Sequence, residues 1–354
     1  MPSLERSPQE DQRLELDLLD RKILYLLSLN GRFAESTIGK ALKTSKEVVH
    51  YRLKRMQQES FLHGFMTLLD HQKLGYIVHD ISVSLHPSSD FEAIVQTLLA
   101  HQNVTHVRQC SAPFDLQFRI MTKTTAEFVS IVDSLLNQYY MYVKDYVIST
   151  LLEEHFLGLH FLLEEKEIPK INERKGTSFH KEFEHQNHNE ERDRLHSIIK
   201  PEDKATLKLD DKDKQILQLL SLQARLPILK ISQQMSLATT SVQNRLQALV
   251  KAGIIKQFLP QAAFSYLGYQ WYLLRLRTKN LNQAKFSQYL QQQPNMVWMT
   301  KHVGKWNFQL SIFAQNNNEL NRVVQELRNS FLDSIIAYES EIVFKQFAYQ
   351  PRIL

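Results

Sequence analysis

Leu16, Leu19, Ile23, Leu26 and Leu27 recur at the three-and-four spacing of one helix face, and Asp17 stands in the first turn, where a negative charge suits the helix dipole. The same spacing predicts a second helix over about 34–42 and, after a break at Lys43-Thr44, a third over 46–58 that Ser45 is placed to cap. Val49, Leu53 and Met56 form the apolar stripe of this third helix, leaving Lys46, His50, Tyr51, Lys54 and Arg55 around the rest of its surface. The period then shortens to two: FLHGFMTLL, residues 61–69, alternates and predicts a strand or wing. Three helices, a short break before the third, and a strand together predict a winged helix-turn-helix.

The pattern returns. Residues 14–76 align with 207–269 without a gap at an offset of 193, including Leu16/Leu209, Asp17/Asp210, Asp20/Asp213, Ile23/Ile216, Arg32/Arg225, Val49/Val242, Arg52/Arg245 and Leu53/Leu246. One register held through three helices and their turns implies duplication of a whole module. Gly253 ends the third helix of the second copy, where the first has Ser60, which predicts a less sharply defined end there. After each copy comes a strand–helix–strand–strand–helix–strand rhythm, over 77–151 and 271–344, the split βαβ arrangement. The predicted fold class is α+β: two winged helix-turn-helix domains, 14–68 and 207–260, each followed by a ferredoxin-like βαββαβ sandwich, 69–163 and 261–354, with a charged linker at 164–206.

Composition narrows the classes. In 354 residues, 43% hydrophobic and 23% charged, no apolar run reaches the roughly 18 residues a bilayer crossing needs, and the N-terminus has no apolar segment like a signal peptide, so a cytoplasmic protein with no membrane partner is expected. The single cysteine, Cys110, reads as a small buried side chain rather than a nucleophile or metal ligand. His180, His185, His188 and His196 in the linker match no metal-ligand spacing, and no phosphate loop, zinc set or nucleophile elbow is present, so neither metal nor cofactor is expected. A formal charge of +5 says little by itself, but its distribution says more. The helical modules carry +3 and +5, whereas the first sandwich carries −5 and the second +5, and opposite signs favour pairing of one with the other.

LDLLDRKIL and LDDKDKQIL in the first helices, VVHYRLKRM and SVQNRLQAL in the third, and the LGY leading into each sandwich resemble the leucine-responsive regulatory protein/asparagine regulator (Lrp/AsnC) transcription factors. The resemblance implies double-stranded DNA as partner, with the third helix in the major groove. It marks Ser45, Lys46, His50, Tyr51 and Lys54, with Thr239, Thr240, Gln243, Asn244 and Gln247, as the residues facing DNA. Lysine neutralises phosphate, and glutamine or asparagine can read adenine, so two unlike readers imply an asymmetric site with unlike half-sites. For Arg52 and Arg245 two readings stand, a phosphate contact or a brace onto Asp20 and Asp213. The resemblance also implies an amino-acid effector near the turn between the second and third sandwich strands, here Ala112, Phe114 and Asp115 in the first half and Gly304, Trp306 and Asn307 in the second. The alternative is that this turn only shapes a β-hairpin. Family members dimerise through the sandwiches, which implies that the two halves pair within one chain as a covalent pseudo-dimer, with higher homo-oligomers open. Sirohaem decarboxylases of haem biosynthesis resemble the same two-domain plan and supply the enzymatic alternative, for which His101, His106, Arg108, Lys301 and His302 are the available side chains, none clustered by spacing. The non-enzymatic reading is the expectation.

Overall fold

The computed structural model describes residues 15–167 and 208–349; the four linker histidines and most of the linker lie outside the described residues. The first half opens with α1 (Leu18–Leu29), α2 (Glu35–Leu42) and α3 (Lys46–Gln58). Asp17 caps α1, and Asp17 and Asp20 each accept the other's backbone N–H, a reciprocal box that satisfies two orphan donors. β1 (Leu62–Leu69), β2 (Ile77–Leu85), α4 (Phe91–Ala100), β3 (Val104–Cys110), β4 (Leu116–Thr122), α5 (Thr125–Tyr139) and β5 (Val143–Phe156) follow. The second half repeats the order with α6 (Asp211–Leu222), α7 (Ile228–Met235), α8 (Thr239–Lys251), β6 (Ile255–Ala262), β7 (Gln270–Thr278), α9 (Gln283–Gln292), β8 (Met296–Val303), β9 (Phe308–Ala314), α10 (Asn317–Ser330) and β10 (Ile335–Tyr349). Asp210 and Asp213 rebuild the capping box of α6.

The strands join the halves rather than closing each one. β1 pairs antiparallel with β6, its own counterpart, so the strand expected as a wing is one side of a ribbon shared between the halves. A lone strand would leave both its rows of N–H and C=O groups to water, and its counterpart satisfies one of them. The two four-stranded sheets meet edge to edge, β5 on β8 and β10 on β3, and close a barrel of order β10-β3-β4-β2-β5-β8-β9-β7. Closure removes the open edges that two separate sandwiches would expose. The helical domains also cross over, α1 packing on β6 and α6 on β1.

The repeated loop at the end of each first helix explains one retained residue. Arg32 donates to the carbonyls of Ala224 (2.6 Å) and Leu226 (3.0 Å), and Arg225 returns a bond to that of Phe33 (3.1 Å). Each guanidinium also lies over an aromatic ring of the shared ribbon, Arg32 on Phe258 and Arg225 on Phe65. Burial, with Arg225's charge nearby, pushes Arg32 down to about 10, which leaves it a cation at neutral pH, and burial lowers Arg225 as well. The arginine recurs because each copy clasps the other's loop across the pseudo-two-fold axis.

Two boundaries differ from expectation. Residues 157–163, assigned to the first sandwich, contribute Leu159, Phe161, Leu162 and Leu163 to the core of the first helical domain, and Glu167, just past them, pairs with Lys22 at 2.6 Å. The end of α3 is as sharp as that of α8, because Ser60 takes the left-handed conformation (φ 56°) that Gly253 takes in the second copy (φ 66°). A side chain there costs about 1 kcal/mol, so Ser60→Gly is expected to raise the free energy of unfolding by up to that amount and the urea midpoint with it. A lower midpoint in urea titration would contradict this account of the turn.

Candidate functional site

α3 and α8 are the third helices of the two helical domains. All ten side chains singled out on them, Ser45, Lys46, His50, Tyr51, Lys54, Thr239, Thr240, Gln243, Asn244 and Gln247, are exposed. Val49, Leu53 and Met56 of α3, and Val242 and Leu249 of α8, are buried beneath them. Two of the ten have local work. Ser45 caps α3 by accepting from the N–H of Val48, a role that Ala238 cannot play for α8. His50 lies 3.2 Å from Glu35 on α2, which orients its ring.

The arginines between them are braces. Arg52 reaches Asp17 at 2.6 Å and Asp20 at 2.9 Å, and Arg55 reaches Asp20 at 2.6 Å. Arg245 reaches Asp210 at 2.8 Å and Asp213 at 2.7 Å. These charge-assisted bonds hold each third helix on its first helix and take the arginines out of the phosphate-facing set. The first half is braced twice, because Arg55 is matched by Ala248 in the second.

The turns Ala112–Asp115 and Gly304–Asn307 come together across the halves but leave little space. Phe114 and Trp306 are buried, and with Arg275 and His302 they line a void of about 10 Å³, room for no more than one water. Asp115 accepts the N–H of Leu85 at 2.7 Å, and Asn307 accepts that of Thr278 at 2.7 Å. Only an acceptor oxygen is used at either turn, so amide and carboxylate serve equally. Gly304 is required by packing: at φ 152° its added Cβ would lie 2.9 Å from Ser149 Oγ and 3.1 Å from the carbonyl of Ile148, on a strand of the other half.

A larger cavity, about 130 Å³, lies between the β1–β6 ribbon and the barrel. Arg119 fills one side of it, donating to Asp80 at 2.7 and 3.1 Å and to Glu154 at 3.0 Å. His302 of the other half reaches Asp80 at 3.0 Å. Burial pushes the Asp80 carboxyl up, but Arg119 and His302 outweigh it and hold it well below the usual carboxylate range. Glu154 is likewise raised by burial and lowered, on balance, by Arg119, Lys256 and His71. His106 and Arg108 also reach the cavity. Burial, then the charges of Arg108 and Arg119, push His106 well below its ordinary value, so its imidazole is neutral at pH 7. Of the other side chains considered for an enzyme, Lys301 pairs with Glu153 at 3.1 Å, and His101 accepts the N–H of Asn103 away from the cavity. Burial raises the Cys110 thiol to about 12, which removes it as a nucleophile. Among the described residues no cluster of ligands could hold a metal ion, and no helix is long and apolar enough to cross a membrane.

Sequence reasoning missed this cavity, because its signal lies between the copies. From α4 onward the offset falls to 192: Arg108 stands opposite Gln117 as Thr300 stands opposite Gln309, and His106 opposite Arg119 as Trp298 opposite Ser311. Comparing the halves at that offset reveals charged residues on one side and neutral ones on the other.

Residues 16–57 match the model of the AsnC-type helix-turn-helix domain, and 209–256 that of a winged helix-turn-helix DNA-binding domain. The chain is 30% identical over 119 residues to the proline dehydrogenase transcriptional activator of Rhizobium radiobacter, a match spanning 32% of this chain and 75% of that protein. It is 27% identical over 118 residues to the regulatory protein AsnC of Haemophilus influenzae, spanning 33% and 79%. In architecture it is similar to the siroheme decarboxylase NirDL, with a TM-score of 0.59 over 95% of this chain and 93% of the other, at 12% identity.

Proposed function

Because the chain belongs to the Lrp/AsnC family of transcriptional regulators, we propose that it is a sequence-specific double-stranded-DNA-binding regulator whose two halves act as one covalent pseudo-dimer. The observation that carries the reading is the division of labour on α3 and α8. Their arginines are committed to internal carboxylates, while lysine, tyrosine, threonine, glutamine and asparagine side chains stand exposed on the same helices. Lys46 and Lys54 supply charge for phosphates, and Gln243, Asn244 and Gln247 supply paired donors and acceptors for base edges. The readers are unlike, so the favoured site joins two different half-sites, and no second chain is needed to present both.

The lysine substitutions Lys46→Ala and Lys54→Ala are expected to weaken binding by a similar factor on every sequence and to reduce the slope of log K against log salt by about one each. Asn244→Ala is expected instead to relax base preference within one half-site, by roughly 1–3 kcal/mol at the affected position. Fluorescence anisotropy on duplexes at several stated salt concentrations separates the two. An unchanged salt slope in the double lysine variant would remove α3 from the interface.

An amino-acid effector between the two turns is disfavoured by the void of about 10 Å³ there. The fold shared with siroheme decarboxylase NirDL gives a second reading, an enzyme acting on a tetrapyrrole, and His106, Arg108 and Arg119 around one cavity favour it. A cavity of about 130 Å³ is single-ring sized, since one of about 150 Å³ holds benzene, and this argues against a macrocycle. A spectral change on incubation with sirohaem would support the enzyme over the regulator.

A further inference from the structure

The cavity between the ribbon and the barrel sits where the two halves meet, so in a dimer of identical chains its two walls would carry the same residues. Here they do not. His106, Arg108 and Arg119 of the first half are matched by Trp298, Thr300 and Ser311 of the second, giving one wall its cations and the other an indole and hydroxyls. Glu154 and Gln346, set against Thr300 and Arg108 in the two seams, differ in the same sense.

The hydrogen-bonding capacity of these groups is unequally used. Arg119 donates Nε and Nη2 to the two oxygens of Asp80 and Nη1 to one oxygen of Glu154. Arg108 has no carboxylate within 4.0 Å among the described residues; its one bond is a long one, 3.3 Å, to Gln117. Its Nε is shielded from water without a partner, and so is the indole Nε1 of Trp271, over whose ring the guanidinium lies at 4.5 Å. Both atoms are closed off by packing, so the donor that Arg108 can offer a ligand is Nη2, which makes no bond among the described residues, on a side chain that lines the cavity. Burial, then the charge of Arg119, lowers Arg108 to about 10, which leaves it a cation at neutral pH. The rest of the lining is mixed: Phe156, Trp298 and Phe313 supply aromatic surface, and Thr300, Gln309 and Ser311 supply neutral polar groups.

We propose that this cavity binds a small aromatic carboxylate anion, its carboxylate held by Arg108 and its ring among Phe156, Trp298 and Phe313. The size of the space selects a single ring. An amino group on the ligand is disfavoured because Arg108 and Arg119 already place two cations on this lining against one carboxylate, Glu154, and Arg119 is paired with it. Met66 and Leu259 of the shared ribbon line the cavity, and that ribbon begins four residues after α3 and α8 end, so occupancy bears on the strands that carry both readers. As an effector site the cavity rests on the DNA-binding reading, but as a binding site it does not.

Two of the three tryptophans, Trp271 and Trp298, line the cavity and report its occupancy by fluorescence. The full chain is titrated with phenylacetate, its neutral analogue phenylacetamide, and phenylalanine. Saturable quenching by phenylacetate is expected, about tenfold or more tighter than by either of the others, with Arg108→Gln abolishing that preference. Equal binding of acid and amide, tighter binding of phenylalanine, or no saturable response to phenylacetate overturns the proposal, and the comparison of acid with amide needs no variant to fold. DNA affinity is measured on the same samples before ligand is added: no DNA binding there, with phenylacetate binding present, overturns the regulator reading and leaves this site standing.

Discussion

Replacing Arg119 with leucine is expected to destabilise the protein by about 3–5 kcal/mol at pH 7.5, because it leaves Asp80 and Glu154 charged and buried with their shared cation gone. The pH dependence should also reverse sign. In the parent protein both carboxyls are held below their unfolded values, so the stability they contribute is fully present above the ordinary carboxylate range and is lost as pH falls through it. In Arg119→Leu, burial is opposed only by His302 at Asp80 and by Lys256 and His71 at Glu154, and it is expected to outweigh them and raise both groups above their unfolded values. Their contribution is then least unfavourable at low pH and worsens as pH rises, so the variant should be more stable at pH 5.5 than at pH 7.5 relative to the parent. Urea midpoints at the two pH values check this, and adding Asp80→Asn and Glu154→Gln to the variant should recover much of the loss. A variant that tracks the parent at both pH values would show that the network is not a coupled unit.

The second large effect concerns the base of the reading helices. Asp20 is completely buried, accepts from Arg52 and Arg55, and closes the capping box of α1. Asp20→Ala removes all three functions at once and is expected to cost about 2–4 kcal/mol. Asp213→Ala removes one arginine contact and the equivalent capping bond, and about half that loss is expected. The two variants should also differ in DNA binding. Asp20→Ala loosens α3 on α1 and so weakens the lysine-bearing reader, whereas Asp213→Ala acts on the amide-bearing one. Midpoints in urea, together with site preference for each variant, test the pair; equal losses would deny the double brace its role.

Much of this was legible in sequence because duplication repeats the informative residues. Asp17, Asp20 and Arg52 return as Asp210, Asp213 and Arg245, and salt-bridge chemistry makes the brace a natural reading of that triplet. The helix spacing in 16–27 and its copy fixed amphipathic faces, and the six-element rhythm after each copy gave the sandwich. What stayed hidden depends on partners far along the chain. Arg32 and Arg225 are bound by backbone carbonyls some 190 residues away, and backbone acceptors leave no mark in a side-chain pattern. The opposite charges of the sandwiches pointed to pairing, but the seam is made chiefly by strand hydrogen bonds, with Lys301–Glu153 and His302–Asp80 added to it. Closure into one barrel follows from edge pairing, which charge does not specify. At the turns, the exchange of Asp115 for Asn307 looks like the loss of a charge, yet the geometry uses one oxygen in each. The cavity was illegible for a different reason: Arg108 is unusual only beside Thr300, its counterpart in a register shifted by one residue from the helical domains.

The central claim is that two unlike helices, locked together by a shared ribbon and a closed barrel, grip one duplex. Selection of bound fragments from a random double-stranded library by the full-length protein, repeated at several fixed salt concentrations, tests it most directly. The account predicts attachment that weakens steeply as salt rises, and enriched fragments that join two different half-sites at one spacing. Enrichment of perfect palindromes alone, or no salt-sensitive attachment to any fragment, would contradict it.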